Sequence, residues 1–139
     1  MITILIIALA VGLLLLVVIG QSVPKKSARR GSRTGVDREF VARKWSEIEG
    51  MTSGGSLRTA VSEADKLLDY ALKQSGARGE TMGERLKSSG RRFSNINAIW
   101  SAHKVRNALA HEADFDLVPA QAREAVAAFK RGLQDLGAL

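Results

Sequence analysis

The chain has 139 residues, of which 45% are hydrophobic, 25% are charged and 5% are aromatic. This length suits one small domain and excludes repeat arrays and multidomain enzymes. The chain carries 21 basic and 14 acidic side chains, for a formal net charge of +7, with no cysteine and two histidines. The lack of cysteine excludes disulfide frameworks, thiolate zinc sites and cysteine nucleophiles. Any imidazole chemistry is limited to the two histidines, His103 and His111.

The first 22 residues predict a transmembrane helix. Residues 2–19 (ITILIIALAVGLLLLVVI) are interrupted only by Thr3 and Gly12. As a helix this stretch would be roughly 27 Å long at about 1.5 Å per residue, which nearly matches the ~30 Å hydrocarbon core. A cleaved signal peptide is the alternative, with Gly20-Gln21-Ser22 as a weak cleavage site. The absence of a basic n-region and the length of the apolar core favour a retained anchor.

Residues 23–37 predict a basic, flexible juxtamembrane linker. The segment is rich in serine and glycine and shows no apolar periodicity. Its basic side chains are Lys25, Lys26, Arg29, Arg30 and Arg33, against the single acid Asp37. A basic cluster just after a span stays on the cytoplasmic side and contacts anionic lipid, although nucleic-acid binding is an alternative use of the same charges. We therefore expect a single-pass protein of the cell membrane with a cytoplasmic C-terminal domain.

Residues 38–139 predict an all-α domain. Helical spacing of apolar residues indicates a first helix between Val36 and Gly50, and a second that Ser56 caps and that ends before Gly76. After a segment containing several glycines and a brief helical turn or two, a third main helix is expected from about Ser94 to Glu112. The last begins at Pro119. No strand pattern is present, so we expect an antiparallel bundle of about four main helices.

The third main helix is predicted to be apolar on two sides. One side holds Ile96, Ile99 and Trp100, and the other holds Ala98, Ala102, Val105 and Leu109. A helix with two apolar sides is usually central in a bundle or lies at an oligomer interface. Because the core of so small a domain is modest, a homodimer would gain stability from such an interface.

The same helix carries Arg106, Asn107 and His111 in the string RNALAH. This string resembles the R-N-x-x-x-H form of the R-x(4 to 6)-H motif of the HEPN superfamily, small helical bundles that include many metal-independent endoribonucleases. The order of elements over residues 38–139 is also similar to that of the family. The resemblance implies a dimer whose two motif helices face each other, with RNA as substrate and neither metal nor cofactor.

The chemistry of RNA cleavage gives each motif residue a role. Attack by the RNA's own 2′-hydroxyl needs a group that moves a proton near neutral pH, which suits His111. It also needs a cation beside the phosphate, which suits the guanidinium fork of Arg106. Asn107 lies on the same helical face as His111 and can hydrogen-bond its imidazole or the substrate. On an ideal helix Arg106 and His111 are about 140° apart and about 7.5 Å apart along the axis, so one straight helix does not bring them together. The resemblance implies that a second subunit completes the site.

Non-catalytic interpretations of these residues remain open. The motif arginine can form an ion pair with Glu112 or Asp114, and the motif histidine can simply stabilise the helix C-terminus. His103 is expected to be a partly buried or surface residue, since it lies about 12 Å along the helix from His111, too far for a shared metal site. The domain is only mildly basic and has few aromatics to stack unpaired bases. The alternative function is therefore a membrane-tethered, non-catalytic helical module for dimerisation or for binding a protein or nucleotide partner.

Overall fold

The computed structural model describes residues 35–139, and all regular secondary structure within this range is helical. The elements are α1 (Arg38–Ser53), α2 (Leu57–Gln74), α3 (Met82–Ser89), a 3₁₀ turn (Gly90–Arg92), α4 (Ile96–His111) and α5 (Pro119–Asp135). The predicted all-helical bundle is confirmed. It contains five α-helices, because the segment with several glycines folds into the two turns of α3.

Local sequence signals explain where the helices begin. The Asp37 carboxylate accepts a hydrogen bond from the Phe40 backbone N–H at 3.1 Å and so caps α1. At the start of α3, the hydroxyl of Thr81 and the carboxylate of Glu84 cap each other's backbone N–H groups in a capping box. Ser56 precedes α2 as predicted, but its side chain makes no capping hydrogen bond.

The packing of the domain begins before residue 38. Val36 is only 2% exposed, and Asp37 caps α1, so the last residues of the expected linker belong to the folded body. Gly35 has φ +69°, and a Cβ there would lie 2.8 Å from the Gln74 carbonyl oxygen, which suits glycine alone. The predicted transmembrane helix at residues 1–22 and the lipid-contacting residues of the linker lie outside the described residues. Within residues 35–139, no helix combines the length and the apolar character that a membrane crossing requires.

Helix α2 is the centre of the bundle, since it packs against each of the other four helices, and α5 also packs against α4. The largest fully buried side chains are Phe129, Leu68, Leu72, Leu86, Ile99, Leu133, Val41 and Val61. Close approach of α5 depends on Gly132, where a Cβ would lie 3.0 Å from Ile99 Cδ1 and 3.3 Å from both Cδ atoms of Leu68. The motif helix α4 is thus wedged between α2 and α5.

Helix α4 buries only part of its apolar surface within one chain. Ile99, Ala102 and His103 are buried, whereas Trp100, Val105 and other apolar residues are half-buried. This distribution matches a helix that is apolar on two sides and places the RNALAH string at the C-terminal end of α4, next to solvent.

Candidate functional site

His111 is the last residue of α4 and is exposed. Its imidazole makes no hydrogen bond and no ion pair with any residue in the range 35–139. The ring is therefore free to meet a substrate or a second protein chain, and nothing in the described part of this chain orients it.

Arg106 is anchored by an acid from a different helix. Its Nε lies 3.4 Å from Oδ2 of Asp65 on α2. The pairing with Glu112 or Asp114 that the sequence allowed is replaced by this tertiary contact. The Arg106 side chain is 30% exposed, so the guanidinium is held in place and still reaches solvent.

Asn107 is hydrogen-bonded to Arg106, its neighbour on α4. Its Oδ1 accepts a hydrogen bond from Nη1 of Arg106 at 3.3 Å. No hydrogen bond joins Asn107 to His111 within the described range, although the two residues are four apart and share a helical face. The structure thus brings Arg106 and Asn107 together and leaves His111 separate.

The structure adds two residues that sequence reasoning did not place in the site. His103 Nδ1 lies 2.7 Å from Oδ1 of Asp65, and both side chains are buried. Because a carboxylate can only accept hydrogen bonds, Nδ1 keeps its proton and donates a hydrogen bond to Asp65. One carboxylate therefore holds His103 through Oδ1 and Arg106 through Oδ2.

The other nitrogen of His103, Nε2, has no hydrogen-bond partner among residues 35–139. No buried side-chain nitrogen or oxygen in residues 35–139 lacks a partner. Nε2 is therefore not completely enclosed, although His103 as a residue is only 9% exposed. The Trp100 ring meets the imidazole edge-on, with 6.1 Å between ring centroids, and limits its rotation.

A sequence signal for Asp65 exists. It lies four residues after Val61 and three before Leu68, on the apolar stripe of α2, where both neighbours are fully buried. Carboxylates are almost never buried without a partner, so an acid on this stripe indicates a buried basic or hydrogen-bonding group. The identity of that group follows only from the tertiary packing of α4 on α2.

Asp69, a second acid on α2, forms ion pairs outside the RNALAH motif. Burial raises the pKa of Asp69, but hydrogen bonds from Arg85 and Lys73 outweigh this effect and leave the pKa below its usual value. Arg85 Nε lies 2.7 Å from Asp69 Oδ1, and Arg85 Nη1 donates to the Gly79 carbonyl at 2.7 Å. This ion pair fixes the loop before α3 and lies outside the motif.

An open groove runs along the side of α4 away from Asp65. It has a volume of about 600 Å³. Its floor is lined by Ala98, Val105, Ala108, Ala125 and Ala128, and polar side chains such as Lys104, Glu112 and Glu124 stand at its edges. Within the described residues, no cluster of three histidine, aspartate or glutamate side chains is arranged to hold a metal ion.

No protein-family model, curated protein or solved structure matches this chain. On α4, the guanidinium of Arg106 and the imidazole of His103 are held by Asp65, whereas the exposed imidazole of His111 lies apart from them. A fixed cation suits the binding of an anion, and an imidazole suits the transfer of a proton.

Proposed function

We propose that this chain is a membrane-anchored, HEPN-like protein whose cytoplasmic domain cleaves single-stranded RNA without a metal ion. Arg106 stabilises the charge that develops on the phosphate, and His111 transfers a proton in the reaction. Basic residues 25–33 lie against anionic lipid and keep the domain near the membrane surface.

The observation that carries this proposal is the anchoring of Arg106. A guanidinium needs a fixed position to stabilise a transition state, because preorganised charge avoids the cost of reorganisation during the reaction. Asp65 supplies that position from the centre of the bundle, while the 30% exposure of Arg106 leaves the guanidinium accessible to a phosphate.

A second subunit completes the site in this proposal. The hydrogen bond of Arg106 runs to Asn107, and His111 has no described partner to draw it toward the arginine. In a homodimer with facing α4 helices, His111 of one copy lies beside Arg106 of the other. The half-buried apolar side chains of α4 supply surface for such an interface.

A binding module without catalysis is the second candidate, and the groove between α4 and α5 favours it. Its floor is apolar and rich in alanine, and Val118, which directly precedes α5, is 55% exposed. Such a surface suits the apolar face of a partner helix better than a base or a phosphate.

The test is cleavage of a mixed-sequence single-stranded RNA by the purified full-length chain in the presence of EDTA. We expect products with 2′,3′-cyclic phosphate ends, and a loss of about 10²-fold or more in His111→Ala and Arg106→Ala. Lys104→Ala is the matched control, because it removes an exposed positive charge from the same helix and should retain activity. Equal cleavage by wild type and His111→Ala would contradict the proposal, and no cleavage by a folded wild type would favour the binding module.

A further inference from the structure

Asp65 and His103 form a buried contact, and neither residue belongs to the RNALAH motif. A histidine that only filled space could be satisfied by a neutral partner, whereas this one is paired with a buried carboxylate at 2.7 Å. The hydrogen bond fixes the tautomer, since Nδ1 carries the proton and Nε2 keeps its lone pair in the neutral ring. Nε2 is also the nitrogen that has no partner among residues 35–139 and is not completely enclosed.

The same carboxylate fixes the position of Arg106 relative to this imidazole. Both side chains contact Asp65, His103 through Oδ1 and Arg106 through Oδ2. One carboxylate therefore holds the imidazole of His103 and the guanidinium of Arg106 within the same subunit. His111, by contrast, lies about 12 Å from His103 along the axis of α4.

We propose that His103 is the general base of the cleavage reaction and that Asp65 is the positioning residue that orients it beside Arg106. Nε2 takes the proton of the 2′-hydroxyl, and the 2′-oxygen forms a bond to phosphorus. The bond between phosphorus and the 5′-oxygen breaks, and His111 of the partner subunit gives its proton to that oxygen. The products are a 2′,3′-cyclic phosphate and a 5′-hydroxyl, and the negative charge of Asp65 stabilises the imidazolium that forms on His103.

This inference rests on the proposed function, and it assigns the proton of the 2′-hydroxyl to His103 and the proton of the leaving 5′-oxygen to His111. Two proton transfers are needed, and the motif histidine alone accounts for one of them. The buried carboxylate at the base of the cluster is the feature that distinguishes His103 from a residue that merely packs.

The decisive variant is His103→Asn. The Asn side-chain amide can donate the same hydrogen bond to Asp65 as Nδ1 does, so the contact with α2 is kept, but no nitrogen remains that can accept a proton. We expect a loss of about 10²-fold or more in kcat with a thermal unfolding midpoint close to wild type. Asp65→Asn keeps a hydrogen-bond acceptor and removes the charge, and it should cost about 10-fold to 100-fold, by analogy with other groups that orient a histidine.

The assay compares two substrates that differ only in the leaving group. One is the RNA whose cleaved linkage has been mapped with the wild type, and the other carries sulfur in place of the 5′-oxygen at that linkage. A 5′-thiolate leaves without protonation, so His111→Ala should regain most of its activity on the sulfur substrate. His103→Asn should stay impaired on both, because attack by the 2′-hydroxyl needs a base in either case. Asp69→Asn disrupts an ion pair on the same helix away from the site and should leave the rates on both substrates unchanged.

Each outcome decides between the two proposals. If His103→Asn cleaves both substrates within a few-fold of wild type while His111→Ala remains impaired on the oxygen substrate, the role of His103 is wrong and the proposed function stands. Recovery of His103→Asn on the sulfur substrate would make it the general acid and would also overturn the assignment. If the folded wild type cleaves neither substrate in EDTA, both proposals fail.

Discussion

The close packing of α5 on α2 and α4 makes Gly132→Ala a sensitive test of the fold that holds the site. The added Cβ would lie 3.0 Å from Ile99 Cδ1 and 3.3 Å from both terminal carbons of Leu68, closer than ordinary van der Waals contact. Ile99 and Leu68 are both fully buried, so neither can move aside without disturbing the core.

Two effects of opposite sign set the size of the change. Replacing glycine by alanine inside a helix stabilises it by up to about 1 kcal/mol, whereas overpacking a close-packed core costs about 1–3 kcal/mol. We expect a net loss of about 1 kcal/mol in the free energy of unfolding. This corresponds to a drop of about 4–8 °C in the unfolding midpoint for a domain near this size.

Gly50→Ala is the matched control. Gly50 lies inside α1, and a Cβ there would meet no atom within 4 Å, so only the gain in helix propensity remains. Urea unfolding of the full-length chain, followed by circular dichroism, should show Gly50→Ala more stable and Gly132→Ala less stable than wild type. If both substitutions stabilise the protein equally, the close approach of α5 to α2 and α4 is not as described.

Three further predictions concern ion pairs and assembly. Hydrogen bonds hold the pKa of Asp69 and the pKa of Glu49 below their usual values. The stability that these ionised carboxylates contribute is therefore present at neutral pH and lost as the pH falls below about 4. The free energy of unfolding should decline less steeply with acid in Asp69→Asn than in wild type. Arg85→Ala should lower the free energy of unfolding by about 1–3 kcal/mol, because it leaves Asp69 paired with Lys73 alone and the Gly79 carbonyl without a donor. The control is Arg91→Ala, which removes an exposed side chain and should stay within about 0.5 kcal/mol of wild type. Sedimentation of the full-length chain in detergent at tens of micromolar should show a dimer, and a strict monomer would remove the basis for a site shared between copies.

The helical bundle was predictable because its signals are local. The stripe of α2 and the proline that begins α5 each act within one or two turns of chain. Asp37, which was assigned to the linker, is a local capping signal of the same kind that sequence reasoning did not use. Helix α3 was harder to predict because its eight residues lie among glycines, and its capping box is the clearest local signal there.

The site was only partly predictable because its main contacts join helices far apart in sequence. The string RNALAH singled out Arg106, Asn107 and His111, but the partner of Arg106 is 41 positions earlier, on α2. His103 was predicted to be partly buried or on the surface, and it is buried. Its hydrogen bond to Asp65 depends on the rotation of α4 against α2. Periodicity gives the buried face of each helix, but it does not specify which polar groups on two such faces meet.

In the proposed dimer, Arg106 of one copy and His111 of another form one active site, and mixing two inactive variants tests this arrangement. Arg106→Ala and His111→Ala chains are each inactive in this account. When they are unfolded, mixed in equal amounts and refolded, half of the dimers should be mixed, and each of these has one intact site of two. We therefore expect recovery of about a quarter of the wild-type rate of RNA cleavage in EDTA. A mixture no more active than either variant alone, with mixed dimers present, would contradict the account.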